Sequence, residues 1–194
     1  GDQIMPDAYT VGELAASYLL SRGHTRLAFL NLDEEHLPLR VYGHAFAATA
    51  REEGGANITV EELQEHPIIV TPGYWRRPSQ EAVDHLVNRF LALPERPTGL
   101  FVAEDRQVAL LQPALQARGV AVGKDVGGGS GVVEIVSCNN ERPYLVGLSP
   151  QPTEIDIRTS AVGRRGVEQL LWRLGHPEVS EQVVATVEPR LVLN

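Results

Sequence analysis

Apolar positions along this chain alternate between two rhythms. Val11, Leu14, Ala15, Tyr18 and Leu19 recur at helical spacing, and Gly23 follows as a stop signal. Thr10 and Glu13 have the reciprocal capping pattern that opens such a helix. A short unbroken apolar run then predicts a strand over 26–31, followed by a helix from about 38 to 53 that ends at Gly54-Gly55. Ile68-Ile69-Val70, after Pro67, reads as a second buried strand. Ser79 opens a helix whose inward positions are Val83, Leu86, Val87, Phe90 and Leu91, and Pro94 stops it. Leu100-Phe101-Val102 is a third strand. The helix predicted over 106–118 contains Pro113, which removes one backbone donor and predicts a kink, and Gly119 ends it. A fourth strand is predicted over 133–136 and an irregular, Pro-rich crossover to about 158. A long helix is predicted over 160–174, carrying Val162, Leu170, Leu171 and Leu174, and a β-rich tail over 182–193.

Strands that alternate with helices of ten or more residues imply right-handed crossovers and a parallel sheet with helices on both faces. The short, wholly apolar strands agree, because a parallel sheet is covered on both sides. The fold class expected is therefore α/β. Ligands of such sheets bind beyond the carboxyl ends of the strands. Those ends carry Asp33, Glu34, Glu35 and Arg40 after the first strand, Tyr74 and Trp75 after the second, Glu104 and Asp105 after the third, and Asn139, Asn140 and Glu141 after the fourth. Planar polar groups beside an aromatic ring suit a sugar, which presents hydroxyls on its rim and an apolar face. Polar loops also belong to any sheet of this kind, so the pattern alone leaves a solvated-loop reading open. Trp172 sits in a helix with apolar periodicity, where packing in a core or interface is its expected role.

Composition narrows the function classes. The 194 residues carry a net charge of −8, which disfavours nucleic-acid binding by this chain alone, since phosphate neutralisation needs clustered Lys and Arg. A single cysteine, Cys138, excludes an internal disulfide framework and fits the cytosol. The six histidines are scattered with no metal-ligand spacing, and His24 is expected to cap the turn between helix and strand. No nucleophile with an identifiable partner is visible, so the chain is not expected to be an enzyme, and neither a metal nor a cofactor is expected. No apolar run approaches the length of a membrane span, and no leader segment is visible. Gly127-Gly128-Gly129-Ser130-Gly131 precedes a strand rather than a helix, which is the wrong context for a phosphate cradle and predicts a surface loop.

The order of these segments resembles the effector-binding domain of the lactose-repressor (LacI/GalR) family over nearly the whole chain. The matching stretches are Gly23-His24 before its strand, Arg40-x-x-Gly43, and the run Pro97-Thr98-Gly99-Leu100-Phe101-Val102-Ala103-Glu104-Asp105. Further on they are Gln116 through Asp125-Val126, the strand ending in Cys138-Asn139-Asn140, and Glu188-Pro189-Arg190-Leu191-Val192. The resemblance implies a periplasmic-binding-protein-like (type I) lobe with an incomplete second lobe. It divides the chain into 9–151 with 181–194 as the C-terminal lobe and 152–180 as a remnant of the N-terminal lobe, the DNA-binding head being absent. It implies that Arg40 grips effector hydroxyls, that Trp75 packs on the effector, and that Glu104, Asp105, Asn139 and Asp7 line the cleft. The implied protein is a cytoplasmic homodimer that senses a small molecule, a carbohydrate above all, and reaches operator DNA only through that absent head. The alternative is a periplasmic-type sugar-binding protein of a transport system. Two departures from the family pattern stand out. Glu104 occupies a position where Asn is common, and Asn139 one where Asp is common.

Overall fold

A computed structural model describes residues 1–65, 69–70, 76–124 and 131–193. Its elements in chain order are β1 (Gln3–Pro6), α1 (Ala8–Ser21), β2 (Arg26–Asn31), α2 (Leu37–Gly54), β3 (Thr59–Gln64), β4 (Ile69–Val70), β5 (Arg76–Arg77), α3 (Gln80–Ala92) and β6 (Gly99–Val102). They continue with α4 (Asp105–Ala117), β7 (Glu134–Cys138), α5 (Arg142–Leu145), β8 (Thr153–Asp156), α6 (Thr159–Gly175), β9 (Val184–Val187) and β10 (Arg190–Val192).

The main body is a six-stranded sheet in the order β10-β8-β7-β6-β2-β3, parallel except for β10, which runs antiparallel to β8. Strand residues alternate between its two faces. Leu27, Phe29 and Phe101 face α1 and α2, where they meet Val11, Leu19 and Phe46. Ala28, Leu30, Leu100 and Val102 face α3 and α4, where they meet Leu86, Phe90, Leu111 and Leu115. Ring centroids of Phe29 and Phe46 each lie 5.4 Å from that of Phe101, which anchors the first layer. There α1 and α2 approach closely because α1 presents Gly12, Ala15 and Ala16; a side chain at position 12 would collide with the Tyr42 carbonyl and come within 2.5 Å of the Phe46 amide.

A second sheet contains β1 and β9 in parallel, with α6 against it. The described chain passes between the two sheets at Asp7, at Ile157–Arg158 and at Glu188–Pro189. These passages are tied together. The Asp7 amide donates to the Val187 carbonyl at 3.0 Å, the Arg158 guanidinium to the Glu188 carbonyl at 3.3 Å, and Arg190 pairs with Asp156 at 2.9 Å.

Several expectations need correction. The second strand of the large sheet is β3, not the run at 68–70; Ile69–Val70 pairs instead with Arg76–Arg77 in a small antiparallel ribbon, and Ile68 lies outside the described residues. β3 is an edge strand in which only Leu63 is fully buried, so its charged residues mask it in an apolar reading. β8 lies in the stretch expected to be irregular; it is buried throughout although two of its four residues are acidic. It therefore belongs to the large sheet rather than to a segment 152–180, while β1 and β9 belong to the small one. α1 begins at Ala8, a turn before the expected cap at Thr10, because the Asp7 carboxylate accepts from the amides of Tyr9 and Thr10 at 3.1 and 3.2 Å. His24 does more than cap a turn. It is buried, and its ring nitrogens meet Thr98 Oγ1 at 3.0 Å and Glu134 Oε2 at 3.1 Å. Glu134 also accepts from Tyr18 and Arg22, so this network joins α1, β6 and β7 at the amino end of the sheet.

Candidate functional site

The strand order defines where a ligand fits. From β2 the chain goes outward to β3, then returns across β2 to β6 and continues the other way through β7 and β8. The order therefore reverses between β2 and β6, and the crevice at their carboxyl ends is the topological switch point.

Three neighbouring strand ends converge there on polar groups. After β2, Asn31 accepts from the Asp33 amide through Oδ1 at 3.0 Å and donates to the Asp33 carbonyl at 3.1 Å, which folds the loop back on itself. After β6, Glu104 stands at the N-cap position of α4 but does not cap it. Its Oε2 instead accepts from Arg106 Nε at 2.5 Å and from Gln107 Nε2 at 3.4 Å. Gln107 bridges the switch point, because its amide also donates to Asn31 Oδ1 at 3.2 Å and accepts from the Leu32 amide at 2.8 Å. With only 1 % of its surface exposed, this side chain is a fixed strut. After β7, Asn139 and Asn140 both have positive φ, 110° and 62°, a conformation uncommon outside glycine and frequent at binding sites. The Asn139 amide donates to the Ile155 carbonyl at 2.9 Å, and its side chain to Glu141 Oε2 at 3.4 Å.

Asp105 holds that turn in place. It is fully buried; Oδ1 accepts from the Ser137 hydroxyl and Oδ2 from the Glu141 amide at 2.5 Å. Burial pushes its carboxyl up to about 7, against the opposing pull of these two hydrogen bonds, and the nearby charges of Glu154 and Glu141 add to the rise. With both oxygens engaged and no exposed surface, Asp105 is placed to hold the 139–141 turn.

The other expected site residues fall as follows. Arg40 is on the first turn of α2, exposed at the same end of the sheet, its amide bonded to the His36 carbonyl at 3.2 Å and its side chain without a hydrogen bond or ion pair to the described residues. Asp7 is part-buried at a passage between the sheets and is engaged as the α1 cap. Trp75 and Tyr74 lie outside the described residues, as do Asp125, Val126 and positions 127–130 of the glycine-rich run. Cys138 is a buried free thiol whose ionisation burial pushes up. Asn31 and Gln107 are the functional candidates missed from sequence. The available signal was the position of Gln107, one turn into the helix that starts at the switch point. Among the described residues no cluster of three or more His, Cys, Asp or Glu is placed to hold a metal, and no helix is long and apolar enough to cross a membrane.

A cavity of about 650 Å³ lies away from these strand ends, beside α6, where Asp2, Ile4, Val162, Gln169, Leu170 and Arg173 line it. It exists because α6 packs on β1 and β9 but buries none of its residues fully. Val167, Leu170, Leu171 and Leu174 form one apolar stripe at i, i+3, i+4 and i+7, and Leu174 is 70 % exposed. Trp172, expected to be packed, is 40 % exposed and stacks on His176 at 4.6 Å.

With this geometry the chain matches the periplasmic binding protein-like domain over residues 16–193, and it belongs to that family. Its fold is shared with solved LacI-family transcriptional regulators. A LacI family transcriptional regulator from Enterococcus faecium, solved with bound ribose, superposes with a TM-score of 0.75 at 19% identity, over 100% of this chain and 64% of that one. The HTH-type transcriptional repressor PurR of Mannheimia succiniciproducens is 23% identical over 192 residues, 99% of this chain and 52% of its own length. The HTH-type transcriptional regulator GntR of Pseudomonas aeruginosa is 31% identical over 176 residues, 89% of this chain and 45% of its own. The chain thus spans about half the length of the curated relatives it matches.

Proposed function

We propose that this chain is the effector-sensing part of a LacI/GalR-type transcriptional regulator, and that it binds a small polar molecule, a sugar in our reading, at the β2/β6 switch point. The observation that carries the reading is the convergence of Asn31, Glu104, Gln107 and Asn139 on the carboxyl ends of three adjacent strands in this fold. Arg40, exposed and unpaired among the described residues at the same end, is assigned to effector hydroxyls, and Trp75 to the effector's apolar face. Effector bound between the two sheets favours one angle between them over another, which is a population shift set by its differential affinity. In a cytoplasmic homodimer that angle sets the spacing of two DNA-binding heads on operator DNA. The names of the curated relatives, both of the helix-turn-helix type, favour a regulator over a transport-type binding protein, and no catalytic role is assigned.

The test is operator binding by the regulator at its natural length, followed by fluorescence anisotropy while candidate sugars are titrated. An effector that shifts operator affinity in the wild type and loses at least ten-fold in potency in Arg40→Ala supports the reading. A response unchanged in that variant removes Arg40 from the site. Absence of any operator binding removes the regulator reading.

A further inference from the structure

The polar atoms left free at the switch point specify the ligand's chemistry, an argument that rests on the effector-site reading above. Glu104 is 8 % exposed, and both of its internal hydrogen bonds use Oε2. Its Oε1 has no hydrogen-bond partner among the described residues. The carboxylate cannot readily turn to hide that atom, because Gln107, which grips it, is itself fixed by Leu32 and Asn31. On the neighbouring strand end, Asn139 gives one of its two side-chain N–H groups to Glu141, so its Oδ1 remains as an acceptor beside one further N–H. Two adjacent strands therefore present acceptors, one of them a carboxylate.

An acceptor is satisfied only by a group that brings a hydrogen. Sugar hydroxyls and ammonium groups do; a carboxylate or phosphate does not at neutral pH. An anion beside Glu104 would also meet its charge where little water screens the repulsion. Among the described residues the one guanidinium in direct contact, that of Arg106, is already committed to Glu104. Arg40, on α2, holds an acid more strongly than a hydroxyl, so the preference is set at Glu104, where the contacting group of the ligand must bring a hydrogen.

We infer that the effector is a neutral or cationic, hydrogen-bond-donating molecule, a polyol or an amino sugar, held by Glu104 Oε1 and Asn139 Oδ1, and that sugar acids and sugar phosphates are rejected. Glu104 is then the residue that sets specificity by charge.

The experiment is calorimetric titration and thermal shift on the full-length protein with a set matched in carbon skeleton. The probes are D-glucose, D-glucosamine, D-gluconate, glucose 6-phosphate, D-ribose and ribose 5-phosphate, extended within each charge class to further pentoses and hexoses. Binding confined to neutral or amino members, with affinity reduced about 10- to 100-fold in Glu104→Gln, is the expected result, since a hydrogen bond to a charged group contributes about 1.5–3 kcal/mol. Asn139→Ala should reduce the same affinity without admitting anions. Tight binding of an acid or phosphate by the wild type overturns the inference and leaves the effector site standing. So does a neutral ligand whose affinity ignores both variants. If no compound of any class binds, the effector-site reading falls and takes this inference with it. Should Glu104→Gln fail to fold, the wild-type charge preference and the Asn139 variant still decide.

Discussion

Asp105 makes a quantitative prediction about stability and pH. Its carboxyl is lifted from the ordinary 3.8 to about 7, burial being the largest cause. A raised acid means that the folded state holds its proton more tightly than the unfolded chain. Between about pH 4 and pH 7 the folded state therefore binds more protons, and stability falls as pH rises. Above about 7 both states are ionised and the slope vanishes. Three decades of proton affinity, at roughly 1.4 kcal/mol each, amount to about 4 kcal/mol lost across that window. That is a large share of the 5–15 kcal/mol typical of a domain. Facing groups matter to the result: Glu141 and Glu154 raise the carboxyl further, while the Ser137 hydroxyl and the Glu141 amide oppose the lift. The assay is urea unfolding at half-unit intervals from pH 4.5 to 8.5, for the wild type and Asp105→Asn. Asparagine keeps the shape but cannot ionise, so the difference in unfolding free energy between the two proteins should move in favour of the variant by roughly 1 kcal/mol per pH unit up to about 7 and then level off. Parallel pH profiles for the two proteins would refute the assignment of a buried, reluctant carboxyl at this position.

Other expectations are simpler. Gly12→Ala puts a carbon against the Tyr42 carbonyl where α1 crosses α2, and should lower unfolding free energy by about 1–3 kcal/mol in chemical denaturation. Asp7→Ala removes the acceptor for two amides at the start of α1 and should cost about 0.5–2 kcal/mol in the same measurement, while a near-neutral effect would show that the cap is idle. Arg40→Ala, at an exposed position, should leave the unfolding midpoint within error while weakening effector binding, so a large stability loss would contradict its placement. The apolar stripe of α6 should make the 194-residue chain self-associate with concentration, and Leu170→Glu with Leu174→Glu should return it to a monomer in sedimentation velocity.

Helices with a clean apolar face were legible in the sequence. α3 is capped by Ser79 and buries Val83, Leu86, Val87 and Phe90 as the spacing predicts. Central strands were legible for the same reason, since β2 and β6 are apolar on both faces. β3 and β8 were not, because hydropathy cannot distinguish a loop from an edge strand rich in Glu or from a buried strand whose acids are hydrogen-bonded. The strand ends themselves were legible: the sequence places Glu104 directly after β6 and Asn139 directly after β7. Which of two adjacent acids is turned inward was not legible. Glu104 and Asp105 differ by one residue, and only the tertiary packing turns the second inward toward Ser137. Gln107 escaped notice because its role is to hold other side chains.

The three passages between the sheets have a mechanical consequence. They run side by side, laced by the Asp7–Val187, Arg158–Glu188 and Asp156–Arg190 contacts, rather than meeting at a single flexible point. Three straps abreast behave like the leaf of a door hinge: they bend together easily in one direction and resist twisting and sideways slip. Under the proposed function, a ligand seated beyond the strand ends would have a single coordinate to act on, the opening angle. Ligands of quite different shape would be reported along that one coordinate, and selectivity among them would have to come from the atoms that greet them rather than from the movement they cause.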